Sequence, residues 1–243
     1  DLRLGFADKA LSGNGDLADQ VTLRAYLKDG TKIYLRFLAT NAFTADADAE
    51  LKANVERPGH KLLTAKVRRK RGAWATSPDR LNARMSRSRF DIRVGEGSFR
   101  FRHKDFDLDL ETRTSFKPTR PEGGRVKESS DDFYVTTILA PRAQLTGTLT
   151  IHGGPSAGET ELSGVAYIEH RMGTIEPYNL AESWVNVRTM DSEHTLVSSA
   201  FRRPKDEGGS LHGWMLYATD KGVKLNVPAM RIKEAGHKKD AKT

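Results

Sequence analysis

The 243-residue chain contains no cysteine. That excludes disulfides, thiol catalysis and Cys-based zinc sites, and it fits any redox compartment. No run of about 18 or more apolar residues occurs, so no helical membrane span is encoded. Helical periodicity is nearly absent as well. The histidines (His60, His103, His152, His170, His194, His212 and His237) are scattered without ligand spacing. No metal site and no cofactor is therefore expected. A leading methionine is also missing. Asp1 reads as a trimmed or processed end with no visible signal peptide, which leans towards export to a periplasm, with the cytoplasm as the alternative.

What remains is β pattern and positive charge. Hydrophobic residues make up 37% and the mean hydropathy is -0.60, the composition of a soluble protein large enough to bury a substantial core. The net charge of +8 suits an anionic partner such as nucleic acid or an acidic membrane surface, and equally suits solubility alone. Lys66, Arg68, Arg69, Lys70 and Arg71 concentrate that charge. On a strand, such a run is a solvated face that protects a sheet edge. As a functional patch, Arg68, Arg69, Lys70 and Arg71 would contact anionic lipid headgroups. No nucleic-acid motif accompanies them, and only Trp74 and Phe90 are interleaved as stacking aromatics, which disfavours nucleic acid.

Alternation of period two runs along most of the chain. Val21, Leu23, Ala25 and Leu27 alternate with Thr22, Arg24, Tyr26 and Lys28. Asp29-Gly30 then turns the chain into a strand with Ile33, Leu35 and Phe37 on its inner row. Leu63 to Val67, Phe90 to Val94, Phe99 to Phe101 and Phe106 to Leu110 repeat the pattern. Residues 1–20 read as a loop, 44–54 as a short helix or loop, and 78–87 as a helical turn. Residues 133–139, 145–151, 184–188, 195–201, 211–217 and 223–227 read as further strands, with Pro141 as punctuation and a frayed tail from Lys233. Such a chain is all-β, a sandwich or barrel. The Pro- and Gly-rich stretch 117–130 marks a boundary between two antiparallel β units, 1–128 and 129–243.

Two stretches invite chemistry. Residues 154–158, Gly-Pro-Ser-Ala-Gly, match a nucleophile elbow, but the elbow needs a helix after the serine. A strand pattern follows instead, so Ser156 reads as a hairpin residue. The second stretch is 164–173, Gly-Val-Ala-Tyr-Ile-Glu-His-Arg-Met-Gly. As a strand it places Val165, Tyr167, Glu169 and Arg171 on one face and Ala166, Ile168, His170 and Met172 on the other. Glu169 and His170 among apolar neighbours need partners, and either could serve as an acid–base group. Being adjacent, they point apart and do not form one dyad.

This segment, with the Trp184 strand after it, resembles the signature of the lipocalin-like carotenoid hydratase superfamily. That group includes carotenoid 1,2-hydratases, AttH-type bacterial proteins, fungal lipocalin-like pericyclases and Svf-type survival factors. Its pattern is Gly-x-x-Tyr-x-Asp-His-x-Trp/Tyr-Gly followed by a Trp-bearing strand. This chain offers Gly164, Tyr167, Glu169, His170, Met172, Gly173 and Trp184, so Glu replaces Asp and Met replaces an aromatic. The resemblance is good over about 145–220 and loose before it. It implies two tandem lipocalin-like barrel or sandwich units. It also implies binding or transfer of an apolar molecule, such as a lipid or isoprenoid, in a calyx lined by Tyr167, Met172, Trp184 and Trp214. The alternative it implies is a hydratase or isomerase of an alkene, with Glu169 or His170 as acid–base group. Met172 counts against the latter, because aromatic faces stabilise carbocations.

Overall fold

A computed structural model describes residues 17–41, 48–77, 79–121, 124–127, 133–174, 180–209 and 211–227. Strand β1 (Ala18–Leu27) pairs with β2 (Lys32–Thr40) through the Asp29-Gly30 turn, where Gly30 has φ +83°. The Asp29 carboxylate fixes that turn by accepting from the Thr31 amide at 2.9 Å and hydroxyl at 3.0 Å. The chain then runs through β3 (Asp48–Glu56), β4 (Leu63–Lys70), β5 (Trp74–Thr76), β6 (Leu81–Met85), β7 (Ser88–Arg93), β8 (Glu96–Arg102), β9 (Phe106–Arg113) and β10 (Arg125–Lys127). Next come β11 (Phe133–Ile151) and β12 (Gly158–Gly173). The last four strands are β13 (Ser183–Met190), β14 (His194–Arg202), β15 (Leu211–Thr219) and β16 (Gly222–Val227).

Two antiparallel sheets result. The large one has the order β4-β3-β2-β1-β12-β11-β9-β8-β7-β6-β5, with β10 added to β11. It is nearly closed on itself. Its interior holds the inward rows of opposite walls, so Phe37 of β2 meets Trp74 and Phe90 edge-on. The small sheet, β13-β14-β15-β16, covers the outer face of β11 and β12. Ile138 and Tyr167 of the large sheet pack there against Val197, Trp214, Leu216 and Ala218.

Several expectations change. Residues 48–54 of the 44–54 stretch belong to β3, where Ala49, Leu51, Ala53 and Val55 are buried; small side chains fit this crowded wall despite weak β propensity. Residues 42–47 lie outside the described set. Residues 81–85 form β6 and close a tight turn with β7 in which Ser86 takes φ +53°. The loop expected over 1–20 gives way to β1 at Ala18, and residues 1–16, like the tail from Lys233, lie outside the described set. Ser156 sits in the β11–β12 hairpin turn.

Pro141 does not end a strand. β11 runs through it, with register shifts between Ile138 and Ala140 and between Ala140 and Ala143. Proline cannot donate to the ladder, and bulges absorb it. The division at 128/129 does not separate the sheets either. β11 and β12 complete the large sheet by pairing with β9 and β1, and the chain leaves that sheet only after Gly173. Polar loop composition marked a crossover here, and only long-range pairing decides which sheet a strand joins.

The two glycines of the 164–173 segment gain a physical reading from this pairing. A Cβ on Gly164 would lie 2.4 Å from the Tyr26 carbonyl oxygen, and one on Gly173 would lie 2.9 Å from that of Phe133. Both sit where a neighbouring backbone approaches too closely for a side chain.

Candidate functional site

The period-two geometry of β12 sends its two ionisable neighbours to opposite sides. His170 faces the barrel interior, where its Nε2 lies 2.6 Å from Asp19 Oδ1 with both groups buried. Glu169 faces the small sheet and is 2% exposed. The Tyr167 hydroxyl donates to Glu169 Oε2 at 2.8 Å. Arg171 donates to the same oxygen at 3.2 Å, and Arg188 of β13 reaches Oε1 at 3.2 Å. Burial alone would raise the Glu169 pKa, but the two guanidinium groups and the phenol outweigh it and hold the carboxyl below its usual range. Burial, reinforced by the Glu169 charge, pushes the Tyr167 phenol well up. At neutral pH the pair is therefore a carboxylate and a neutral phenol.

Register explains what stands beside it. Tyr34 of β2, Arg24 of β1 and Tyr167 of β12 are directly opposed across three neighbouring strands. They form one row on the face turned away from the barrel core. The Arg24 guanidinium carbon lies 4.7 Å from the Tyr34 ring centroid. Between this row and the small sheet is an open cleft of about 500 Å³, lined by Arg24, Tyr26, Tyr34, Tyr167, Arg188 and Met190 among others. Glu169 is beneath the lining and holds Tyr167 and Arg188 from behind. By contrast, the space between the barrel walls, around Leu35, Phe37, Phe90, Phe99 and Phe101, amounts to about 20 Å³. That is room for about one water molecule and not for a lipid chain. Among the described residues the inner rows of the barrel fill it, and no calyx opens there.

The other expected site residues divide. Tyr167 reaches the cleft. Met172 and Trp184 border a separate hollow of about 260 Å³ with Gln20, Leu38, Tyr134, Arg171 and Asn186. Trp184 packs there on Tyr134 and Phe201. Trp214 is buried in the seam between the sheets and lines neither space.

On β4, Arg68 pairs with Asp48 at 2.7 Å and Lys66 pairs with Glu50 at 2.6 Å, while Arg36 reaches Glu50 from the other side. β4 is an edge of the large sheet, and this charge ladder lies along it. Arg69, Lys70 and Arg71 are exposed beyond it. Among the described residues no three His, Asp or Glu side chains group as metal ligands would.

Sequence reasoning missed Arg24, Tyr34 and Arg188. Arg24 and Tyr34 alternate with core residues and so read as a wet face. Only the β1–β12 and β1–β2 registers place them next to Tyr167.

Solved structures share this architecture. An AttH-type protein of Nitrosomonas europaea superposes with a TM-score of 0.65 at 16% identity, covering 93% of this chain and 72% of that one. The likeness shows a shared lipocalin-like fold. CghA in complex with Sch210972 matches this lipocalin-like fold with a TM-score of 0.68 at 10% identity, covering 93% of this chain and 64% of that one. Kievitone hydratase from Nectria haematococca matches with a TM-score of 0.54 at 10% identity, over 87% of this chain and 64% of that one. The chain thus spans a little under two thirds of these last two proteins. No protein-family model matches the sequence, and no curated protein matches it.

Proposed function

We propose that this lipocalin-like chain is a hydratase or isomerase acting on a carbon–carbon double bond of a small, largely apolar molecule held in the cleft between the two sheets. The observation that carries the reading is the Tyr167–Glu169 pair at the floor of that cleft. A buried phenol bonded to an ionised carboxylate is a proton-handling unit whose two pKa values have been driven apart, which is how acid–base roles are assigned within one site. Kievitone hydratase, among the proteins of similar fold, supports the class of reaction by analogy of fold alone.

The roles differ from those expected on sequence. An acid must carry a proton, and Glu169 is held ionised by Arg171 and Arg188. Tyr167 is the protic group at the cleft, and Glu169 is its positioning partner. His170 faces the opposite side of β12, bonded to Asp19, and takes no part at this cleft. Binding or transfer of an apolar molecule without chemistry is the competing reading. With the barrel filled, that reading would use the same cleft.

Tyr167→Phe separates the two, because it keeps the ring and its packing while removing the hydroxyl. Against a panel of conjugated alkenes, monitored by loss of ultraviolet absorbance, turnover should fall about 100-fold or more with binding retained. Unchanged turnover in the variant would remove Tyr167 from the reaction. A wild-type protein that binds the panel tightly and converts none of it would return the chain to the binding reading.

A further inference from the structure

The charge around the cleft does not balance. Arg24, Arg171 and Arg188 surround a single carboxylate, Glu169. Lys32 and Glu56, also at the cleft, cancel each other through a 3.0 Å pair. Arg171 and Arg188 each direct a terminal nitrogen to Glu169, whose oxygens also accept from Tyr167. Their Nε groups, like that of Arg24, are buried without an acceptor among the described residues. Arg24 differs in that its guanidinium lies over the face of Tyr34 and not on a carboxylate. A buried donor without an acceptor is costly, and one beside two like charges is costlier. Burial and the neighbouring Arg188 both pull the Arg24 pKa down.

We propose that the cleft takes an organic anion, with a carboxylate or an acidic enol of the bound molecule seated between Arg24 and Arg188. This rests on the reading of the cleft as the substrate site and narrows the substrate class. Arginine suits the task because its planar fork matches a carboxylate in two hydrogen bonds. Tyr26 and Tyr34 beside Arg24, with Ile33, Leu62 and Met190, give the mixed lining apolar surface for the remainder of such a molecule. The same excess of positive charge decides between reaction routes. A carbocation formed in this cleft would be repelled by its cations. An enolate, with the charge on an oxygen, would be stabilised by them. The substrate alkene is accordingly one conjugated to a carbonyl group.

The test is calorimetric titration with cinnamate, sorbate and octanoate, each against its own methyl ester. Wild type should bind at least one carboxylate about tenfold or more tightly than its ester. Arg24→Gln should erase that preference, and Arg24→Lys should keep part of it. Arg93→Gln, an exposed and remote control, should leave it unchanged. Equal affinity for acid and ester, no carboxylate binding up to roughly 10 mM, or a preference that survives Arg24→Gln would each overturn the proposal. These are binding readouts, so they stand apart from turnover. Loss of the charge preference while neutral alkenes are still converted removes the anion and spares the enzyme. A preserved preference with no alkene converted does the reverse.

Discussion

Replacing Glu169 by Gln removes one charge and almost no volume, so its effect reads the electrostatics of the seam directly. In the native protein the carboxylate accepts from Tyr167, Arg171 and Arg188. Glu169 is 2% exposed, and the side chains of Arg171 and Arg188 are 18% and 14% exposed, so solvent screens the cluster little. A hydrogen bond to a charged group contributes about 1.5–3 kcal/mol, and removing one partner of a buried ion pair costs about 3–5 kcal/mol because the other charge is left behind. With Arg24 adjacent, three cations would then face one another without an anion. The expected loss is about 3–5 kcal/mol, which for a chain of this size lowers Tm by roughly 6–20 °C. Urea unfolding by circular dichroism, with m values compared, measures it.

The pH dependence gives the sign. The folded Glu169 pKa lies below the ordinary value of about 4.3. Its stabilisation is fully present above that ordinary value and is lost as pH falls through the lower, folded one. Wild type and variant should therefore differ by the full amount at pH 7 and converge only in stronger acid. A loss below about 1 kcal/mol at pH 7, or a difference that does not change with acid, would refute the account of Glu169 as a buried counter-ion.

Three further outcomes follow from the packing. Arg142, 2% exposed within the second register shift of β11, donates to the carbonyls of Asp191 and His194 at 3.0 and 3.3 Å, and also bonds the Ser192 carbonyl and the Asp220 carboxylate. Arg142→Met should cost about 1–3 kcal/mol and speed amide exchange in β13–β16 more than in β1–β9, and uniform exchange would argue against Arg142 as a tie between the sheets. Gly164→Ala places a Cβ 2.4 Å from the Tyr26 carbonyl oxygen. It should destabilise by about 1–3 kcal/mol and weaken protection of the β1 amides, and a neutral effect would refute the close approach. Tyr167→Phe leaves the ring in its packed seam and removes one hydrogen bond to the Glu169 carboxylate, so stability should fall by about 1.5–3 kcal/mol even where turnover collapses. A much larger loss would make Tyr167 a structural residue first.

Much of the architecture is legible because alternation is local. The β1–β2 hairpin follows from Val21 to Leu27, the Asp29-Gly30 turn and Ile33 to Phe37, and these inner rows are the buried ones. The opposite orientation of Glu169 and His170 follows from adjacency alone. What stayed hidden is what distance along the chain conceals. Arg24 reads as a wet-face residue until β1 is paired with β12, some 140 positions later. Pro141 reads as a strand end until bulges are seen to carry β11 past it, and it is those bulges that turn Arg142 onto the second sheet. Whether a barrel is hollow depends on which side chains meet across it, as Phe37 and Phe90 do, and no pattern of period two encodes that.

The central claim is that ligand chemistry belongs to the cleft between the sheets and not to the barrel. Aromatic and guanidinium NMR shifts, followed while a conjugated carboxylate or its methyl ester is titrated in, test it most directly. The account predicts shifts at Arg24, Tyr34, Tyr167 and Arg188 with the barrel rings unmoved. Shifts centred on Phe37, Phe90, Phe99 and Phe101 would contradict it.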